Sequence, residues 1–276
     1  MTVDPQTLAR ELAGERPPVL LDVRWRLDRP DGRPEYLEGH LPGAVYVDLD
    51  AELARHGEPG EGRHPLPDRA ALQAAARRWG IHDGDSVVVY DNLKSLSAGR
   101  AWWLLRAAGI ADVRILDGGY REWLGAGLPV HTGDVVPEPG DVTLADGGLP
   151  AITIEQAAGF ADRGVLVDAR AGDRYRGESE PIDPRAGHIP GALSLPTTEN
   201  IAPDGRFLPA EQLRARFAEA GITAGTPVAV YCGSGVTASH QIAALAIAGI
   251  PAALYPGSWS QWSNHPELPL ATGALP

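Results

Sequence analysis

The chain has 276 residues, about two domains' worth, and carries 36 acidic against 24 basic residues for a formal net charge of −12. That balance argues against a general binder of nucleic acid or anionic membrane, whose footprint is basic. A single cysteine, Cys232, excludes an intrachain disulfide and a four-thiolate zinc site. What remains for it is an inert buried thiol or a nucleophile.

Read from the N-terminus, residues 1–20 hold Asp4, Arg10, Glu11, Glu15 and Arg16, which interrupt any signal-peptide core. No apolar run reaches the roughly 18 residues of a spanning helix, so a cytoplasmic protein is expected. Asp22-Val-Arg ends a short apolar run, Gly39-His-Leu-Pro-Gly-Ala follows, and Val87-Val-Val-Tyr-Asp is a buried-strand pattern. Ala108-Gly-Ile and Gly118-Gly-Tyr-Arg-Glu-Trp close this stretch. Residues 130–150 are polar and rich in Gly and Pro, which predicts a linker.

Beyond it the same signals return in the same order. They are Asp168-Ala-Arg, Gly187-His-Ile-Pro-Gly-Ala, Val228-Ala-Val-Tyr-Cys, Ala248-Gly-Ile and Gly257-Ser-Trp-Ser-Gln-Trp. The chain therefore reads as a duplication, with a first unit over 1–129 and a second over 151–276. In the second unit, strands are predicted at Gly164–Ala169, Ala192–Leu195, Pro227–Tyr231 and Ala252–Tyr255. Helices are predicted from Pro209, ending before Gly221, and from Thr237 to Ala248. Alternating strands and helices predict an α/β fold, a mostly parallel sheet covered on both faces, with ligands at the carboxyl ends of the strands.

Cys232 stands at such an end. The residues that follow, Gly233-Ser234-Gly235-Val236-Thr237, can turn tightly, gather backbone N–H groups around one point and open a helix whose positive end faces the same point. A thiolate is favoured there, which shifts the reading toward a nucleophile. A phosphatase loop needs an arginine six residues after the cysteine, and Ala238 stands there, which disfavours that chemistry. In the first unit the matching position is Asp91, so that copy lacks the nucleophile. Asp22, Asp168, His40 and His188 recur in both copies, the one without a nucleophile included, and read as fold-holding groups.

Two tandem units, each with a GH[IL]PGA motif, a strand ending in aspartate and a late G-x-x-x-W, resemble the two-domain rhodanese family of sulfurtransferases. The resemblance runs from about Val3 to Pro269. It implies two tandem rhodanese-like domains with the active loop in the second, and a cysteine that takes sulfur from a donor as a persulfide and hands it to an acceptor. The loop Cys232-Gly-Ser-Gly-Val-Thr is similar to the CGSGVT of 3-mercaptopyruvate sulfurtransferases, whereas thiosulfate-preferring members carry basic residues, as in CRKGVT. The only lysine, Lys94, lies in the first unit.

The resemblance further implies a proton relay. Val45-Tyr-Val-Asp-Leu-Asp resembles the family's FFDID and gives Asp50 as its carboxylate. His64-Pro-Leu-Pro resembles HMLP and gives His64 as its histidine, with His56 the alternative, and Ser234 is the loop hydroxyl. For the donor carboxylate it implies Arg174 and, across an interval two residues longer than the family pattern, Arg185. Gly233, Gly235, Val236 and Thr237 complete the binding loop. No metal or organic cofactor is implied. The expected partners are a small anionic sulfur donor and a thiol acceptor such as thioredoxin, or cyanide, with no nucleic acid and no membrane. Thiosulfate remains the alternative donor, and a non-catalytic binding module, against which the intact loop argues, is the alternative of another class.

Overall fold

The computed structural model describes residues 1–145 and 147–276. They form two compact units. The first consists of Met1–Arg55, Pro67–Gly148 and Pro203–Arg206, and the second of His56–Leu66, Leu149–Ala202 and Phe207–Pro276.

The first unit holds β1 (Thr2–Val3), α1 (Pro5–Leu12), β2 (Val19–Asp22), α2 (Arg33–Glu38), β3 (Val45–Tyr46), α3 (Leu49–Glu52), α4 (Arg69–Arg78), β4 (Val87–Tyr90), α5 (Ala98–Ala107), β5 (Val113–Leu116) and α6 (Gly119–Gly125). Its five strands are parallel in the order β1-β5-β4-β2-β3. Val87, Val88, Val89 and Tyr90 of β4 are all buried, as expected for a central strand covered on both faces. Among its described residues the segment predicted as a linker has no helix or regular strand, yet part of it is strapped to this unit. Val142 N–H donates to the Ile81 carbonyl at 3.2 Å and Ala145 N–H to that of Ala108 at 3.0 Å. Val142 and Leu144 are buried.

The second unit holds α7 (Ile154–Ala158), β6 (Val165–Asp168), α8 (Gly172–Arg176), β7 (Leu193–Ser194), α9 (Ala210–Glu219), β8 (Val228–Tyr231), α10 (Val236–Ile247), β9 (Ala253–Leu254) and α11 (Ser258–Trp262). The strands are again parallel, in the order β7-β6-β8-β9. From β6 the chain crosses to β7 on one side, and from β8 to β9 on the other. The crevice at the carboxyl ends of β6 and β8 is therefore the topological switch point, where such sheets place ligands. The loop leaving β6 leads to Arg174 on α8, and the loop leaving β8 begins with Cys232.

Each copy carries the same buried ion pair at the end of its first core strand. Arg24 Nη2 lies 2.8 Å from Asp22 Oδ2, and Arg170 Nη2 lies 2.6 Å from Asp168 Oδ2. Arg24 also donates to the Gly39 carbonyl at 2.5 Å, and Arg170 to that of Gly187 at 2.6 Å. Each pair thus ties its strand to the GH[IL]PGA turn. His40 and His188 are fully buried and stack on Tyr36 and Tyr175, with ring centroids 4.3 and 3.7 Å apart. These recurring groups hold the fold. Among the described residues no helix is long and apolar enough to cross a membrane.

Candidate active site

Cys232 leaves β8 directly, and its side chain is buried, at 1 % exposure. Gly235, at φ 80°, has the left-handed backbone that turns the chain into α10. Its N–H donates to Cys232 Sγ at 3.2 Å. The helix begins at Val236, one residue before the predicted Thr237, so both residues form its first turn beside the sulfur, where the helix dipole is positive.

Helix α11 pins the base of this loop. Trp259 N–H donates to the Cys232 carbonyl at 3.0 Å and Ser260 N–H to the Gly233 carbonyl at 2.8 Å. The Ser258 hydroxyl accepts the Cys232 N–H at 3.1 Å and donates to the Tyr255 carbonyl at 2.9 Å. Ser258 is fully buried and holds φ 54°, a left-handed conformation unusual for a residue with a side chain.

The first unit repeats this arrangement with a different centre. At the end of β4 the Asp91 carboxylate accepts four backbone N–H groups of its own loop. Leu93 and Ser95 donate to Oδ1 at 2.7 and 2.9 Å, and Ser97 and Ala98 donate to Oδ2 at 2.8 and 2.9 Å. Helix α5 starts seven residues after Asp91, whereas α10 starts four after Cys232. The longer loop folds around its own anion, while the shorter one leaves its centre to a sulfur. A loop leading from such a strand into such a helix is a receptor for negative charge.

Beside the cysteine, Ser234 Oγ lies 2.7 Å from His64 Nδ1, both side chains being 8 % exposed. His64 comes from the segment His56–Leu66, which belongs to the same compact unit as the loop. That segment is tied down near His64. Arg63 N–H donates to Ser260 Oγ at 3.1 Å, and the Gly60 carbonyl faces Gln261 Nε2 at 3.1 Å and His265 Nε2 at 3.0 Å. The alternative histidine, His56, lines the neighbouring cleft. Asp50 is half-buried on α3 of the first unit.

The expected arginines separate. Arg174 stands at the loop: a methyl group built on Gly233 would lie 3.5 Å from its Nη1. Arg185 does not serve there. Its guanidinium donates to the backbone carbonyls of Trp262, Ser263, His265 and Leu268 at 2.6 to 3.0 Å. All three of its nitrogens are spent on the end of α11 and the turn after it, so the expectation that Arg185 binds the donor is corrected. The extra residues of this interval bring an arginine to the α11 end that the motif had placed at the substrate.

The second cation at the loop is Arg63, which the sequence reading missed. Its Nη2 would lie 3.1 Å from a methyl group on Gly233. Its only sequence signal is adjacency to His64. Arg63 and Arg174 share the carboxylate of Asp183, Arg63 on Oδ1 and Arg174 on Oδ2 at 3.2 Å. Arg174 Nη2 also meets Glu180 Oε1 at 2.6 Å, and Arg170 Nη1 meets Glu180 Oε2 at 3.4 Å. Burial raises the Asp183 carboxyl pKa, with Arg63 opposing. Next to this cluster lies an open cleft of about 560 Å³, lined among others by His56, Gly62, Arg63, Ile182, Asp183 and Ser260.

The rhodanese-like domain family matches the chain twice, over residues 4–126 and 153–265. The chain is 50% identical over 274 residues to a Mycobacterium tuberculosis protein named "Putative thiosulfate sulfurtransferase SseB", covering 96% of each. It is 36% identical over 248 residues to the 3-mercaptopyruvate sulfurtransferase of Escherichia coli, covering 86% of this chain and 84% of that one. The crystal structure of the Escherichia coli 3-mercaptopyruvate enzyme SseA superimposes with a TM-score of 0.82 at 33% identity, covering 94% of this chain and 98% of that one. Two matched repeats, two parallel sheets and a cysteine at the end of the second copy's β8 lead to one conclusion: the chain belongs to the rhodanese family and is a two-domain sulfurtransferase.

Proposed function

We propose that the protein moves sulfur from 3-mercaptopyruvate to a thiol acceptor through a persulfide on Cys232. The Cys232 thiolate attacks the donor's sulfur, the carbon–sulfur bond breaks, and its electron pair passes to the carbon as the enolate of pyruvate. The proton given up by the cysteine returns to that carbon, so the products are the persulfide and pyruvate. Loop N–H groups and the α10 terminus stabilise the sulfur anions. Ser234 and His64 carry the proton. Arg174 and Arg63 hold the donor carboxylate, a task for which a guanidinium fork is suited. An acceptor such as thioredoxin, or cyanide in vitro, then removes the outer sulfur in the cytoplasm.

The observation that carries the choice of donor is the 2.7 Å contact of Ser234 with His64 beside Cys232. Pyruvate enolate needs a proton as it leaves. Thiosulfate would leave sulfite, a stable anion that needs none, so a buried hydroxyl–imidazole relay serves the first donor and is idle for the second. Thiosulfate stays the second reading because two guanidinium groups face Gly233, and a relative with half of its residues identical bears that donor's name.

Steady-state kinetics with both donors test the choice. A higher kcat/KM is expected for 3-mercaptopyruvate, and S234A and H64Q should each cost about 10²- to 10⁴-fold with that donor and far less with thiosulfate. Mass spectrometry should find one added sulfur on Cys232 and none in C232S. A clear preference for thiosulfate, or equal losses with both donors, refutes the assignment.

A further inference from the structure

The cluster that faces the cysteine loop contains three guanidinium groups, Arg63, Arg170 and Arg174, and three carboxylates, Asp168, Glu180 and Asp183, joined by direct ion pairs. With these groups ionised, the cluster is neutral as it stands and has no spare positive charge for an incoming anion. Its carboxylates are not equivalent. Asp168 is locked to Arg170 at the end of β6. Glu180 accepts the N–H groups of Ile182 and Asp183 at 3.2 and 3.1 Å besides its arginine bonds, and so shapes its own loop. Asp183 alone bridges Arg63 and Arg174, one oxygen to each, and it also lines the open cleft.

We propose that Asp183 is a built-in competitor of the donor: its carboxylate occupies the place between Arg63 and Arg174 that the donor carboxylate takes, and the donor binds by displacing it. This rests on the reading of those two arginines as the donor clamp. Residues 178–187, which carry Asp183, form neither a helix nor a regular strand, so moving Asp183 breaks no ladder. The exchange is of one carboxylate for another on the same two forks, so the bonds lost are the kind regained. Its cost is that of competing with an intramolecular group at high effective concentration. Burial already disfavours the ionised form of Asp183, which eases its release. The displaced carboxylate stays close by, and a dianion meets more repulsion from it than a monoanion does. Asp183 is thereby a specificity-determining residue that selects against thiosulfate.

The test uses D183N, D183S and D183E in the full chain, with thermal melts to certify folding. Its readouts are the KM for each donor and, by calorimetry, the Kd of pyruvate, an unreactive carboxylate. An arginine pair freed from a competitor that held it about nine-tenths of the time gains about tenfold in apparent affinity. D183N and D183S should therefore lower the KM for 3-mercaptopyruvate and the Kd of pyruvate by about that factor, and should lower the KM for thiosulfate by more. D183E, which keeps the charge, should stay near the parent. The competitor role is overturned if D183N and D183S raise these constants, which would make Asp183 a positioning residue for the arginines, or leave them unchanged. Failure of the donor-clamp reading looks different: R174Q would then keep the parent's KM for 3-mercaptopyruvate and its Kd for pyruvate.

Discussion

Replacing Ser258 by alanine and by glycine separates two opposed contributions at the base of the cysteine loop. The Ser258 hydroxyl accepts the Cys232 N–H at 3.1 Å and donates to the Tyr255 carbonyl at 2.9 Å, and all three residues are buried to within 1 %. Removing it strands a buried donor and costs its carbonyl partner a bond, at about 1–3 kcal/mol for each group left unsatisfied. Against that stands the backbone. At φ 54° a residue with a Cβ holds a conformation about 1–2 kcal/mol less favourable than the right-handed one. S258A keeps the strain and loses the bonds, so a loss of about 2–6 kcal/mol is expected. S258G loses the same bonds but sheds the strain. Glycine's extra freedom in the unfolded chain takes back about 0.5–1 kcal/mol, which leaves S258G the more stable by up to about 1 kcal/mol. For a unit of this size that is a gap of about 2–4 °C in melting temperature. Differential scanning calorimetry suits the measurement because it resolves two transitions if the units melt separately. An S258A melting point equal to or above that of S258G would refute the strain argument.

Arg185 and Arg174 should respond oppositely to substitution. R185K loses most of the four carbonyl contacts at the end of α11, so it should lower the melting temperature with little change in KM, whereas R174Q should raise the KM for donor about tenfold or more; the reverse pattern returns Arg185 to the substrate. His265 faces two acceptors, the Gly60 carbonyl at 3.0 Å and Glu267 at 2.9 Å, and these bonds, in that order of importance, raise its pKa above the usual 6.5. A raised histidine stabilises the fold fully below pH 6.5 and loses that contribution as pH climbs through its folded value. Amide exchange near Gly60 should therefore quicken at alkaline pH in the parent and be pH-independent in H265Q once intrinsic exchange rates are removed; an NMR titration placing His265 below 6.5 overturns this. D91A strands three buried N–H donors and a part-buried one and should destabilise the first unit by at least about 3 kcal/mol, partly restored by added sulfate; an unchanged melting curve refutes it.

How much of this was legible in the sequence follows from which contacts are local. The strands, both long helices of the second unit and the cysteine loop were readable because strand, glycine turn and helix start are written in consecutive residues. Ser234 and His64 were readable only through motifs, since 170 positions separate them. Arg63 was not legible, because nothing in its neighbours says that a chain segment crosses back to Gly233. Arg185 was misread for a related reason. A motif fixes the order of residues, but two extra residues in a loop decide where a side chain ends, and here the carbonyls closing α11 claim it. Asp183 lies in that same interval and is visible only once both arginines are placed around it.

The duplicated loops explain why the cysteine is held as it is. In both copies the N-terminus of the late helix grips the carbonyl of the central residue: Tyr120 N–H to Asp91 at 2.9 Å, and Trp259 N–H to Cys232 at 3.0 Å. In both, the residue just before carries a positive φ, 60° at Gly119 and 54° at Ser258. The first copy meets that requirement with glycine, which adopts the conformation without strain, and it fills its loop with its own carboxylate. The second accepts strain at the same position, and in exchange the Ser258 side chain adds a bond to the Cys232 backbone. A scaffold needs only the relaxed version. In the proposed persulfide chemistry, a nucleophile whose sulfur stays fixed while it gains and loses a second sulfur atom benefits from the strained one, because each added restraint keeps the loop N–H groups aimed at an anion whose position would otherwise shift as the bond to it forms and breaks.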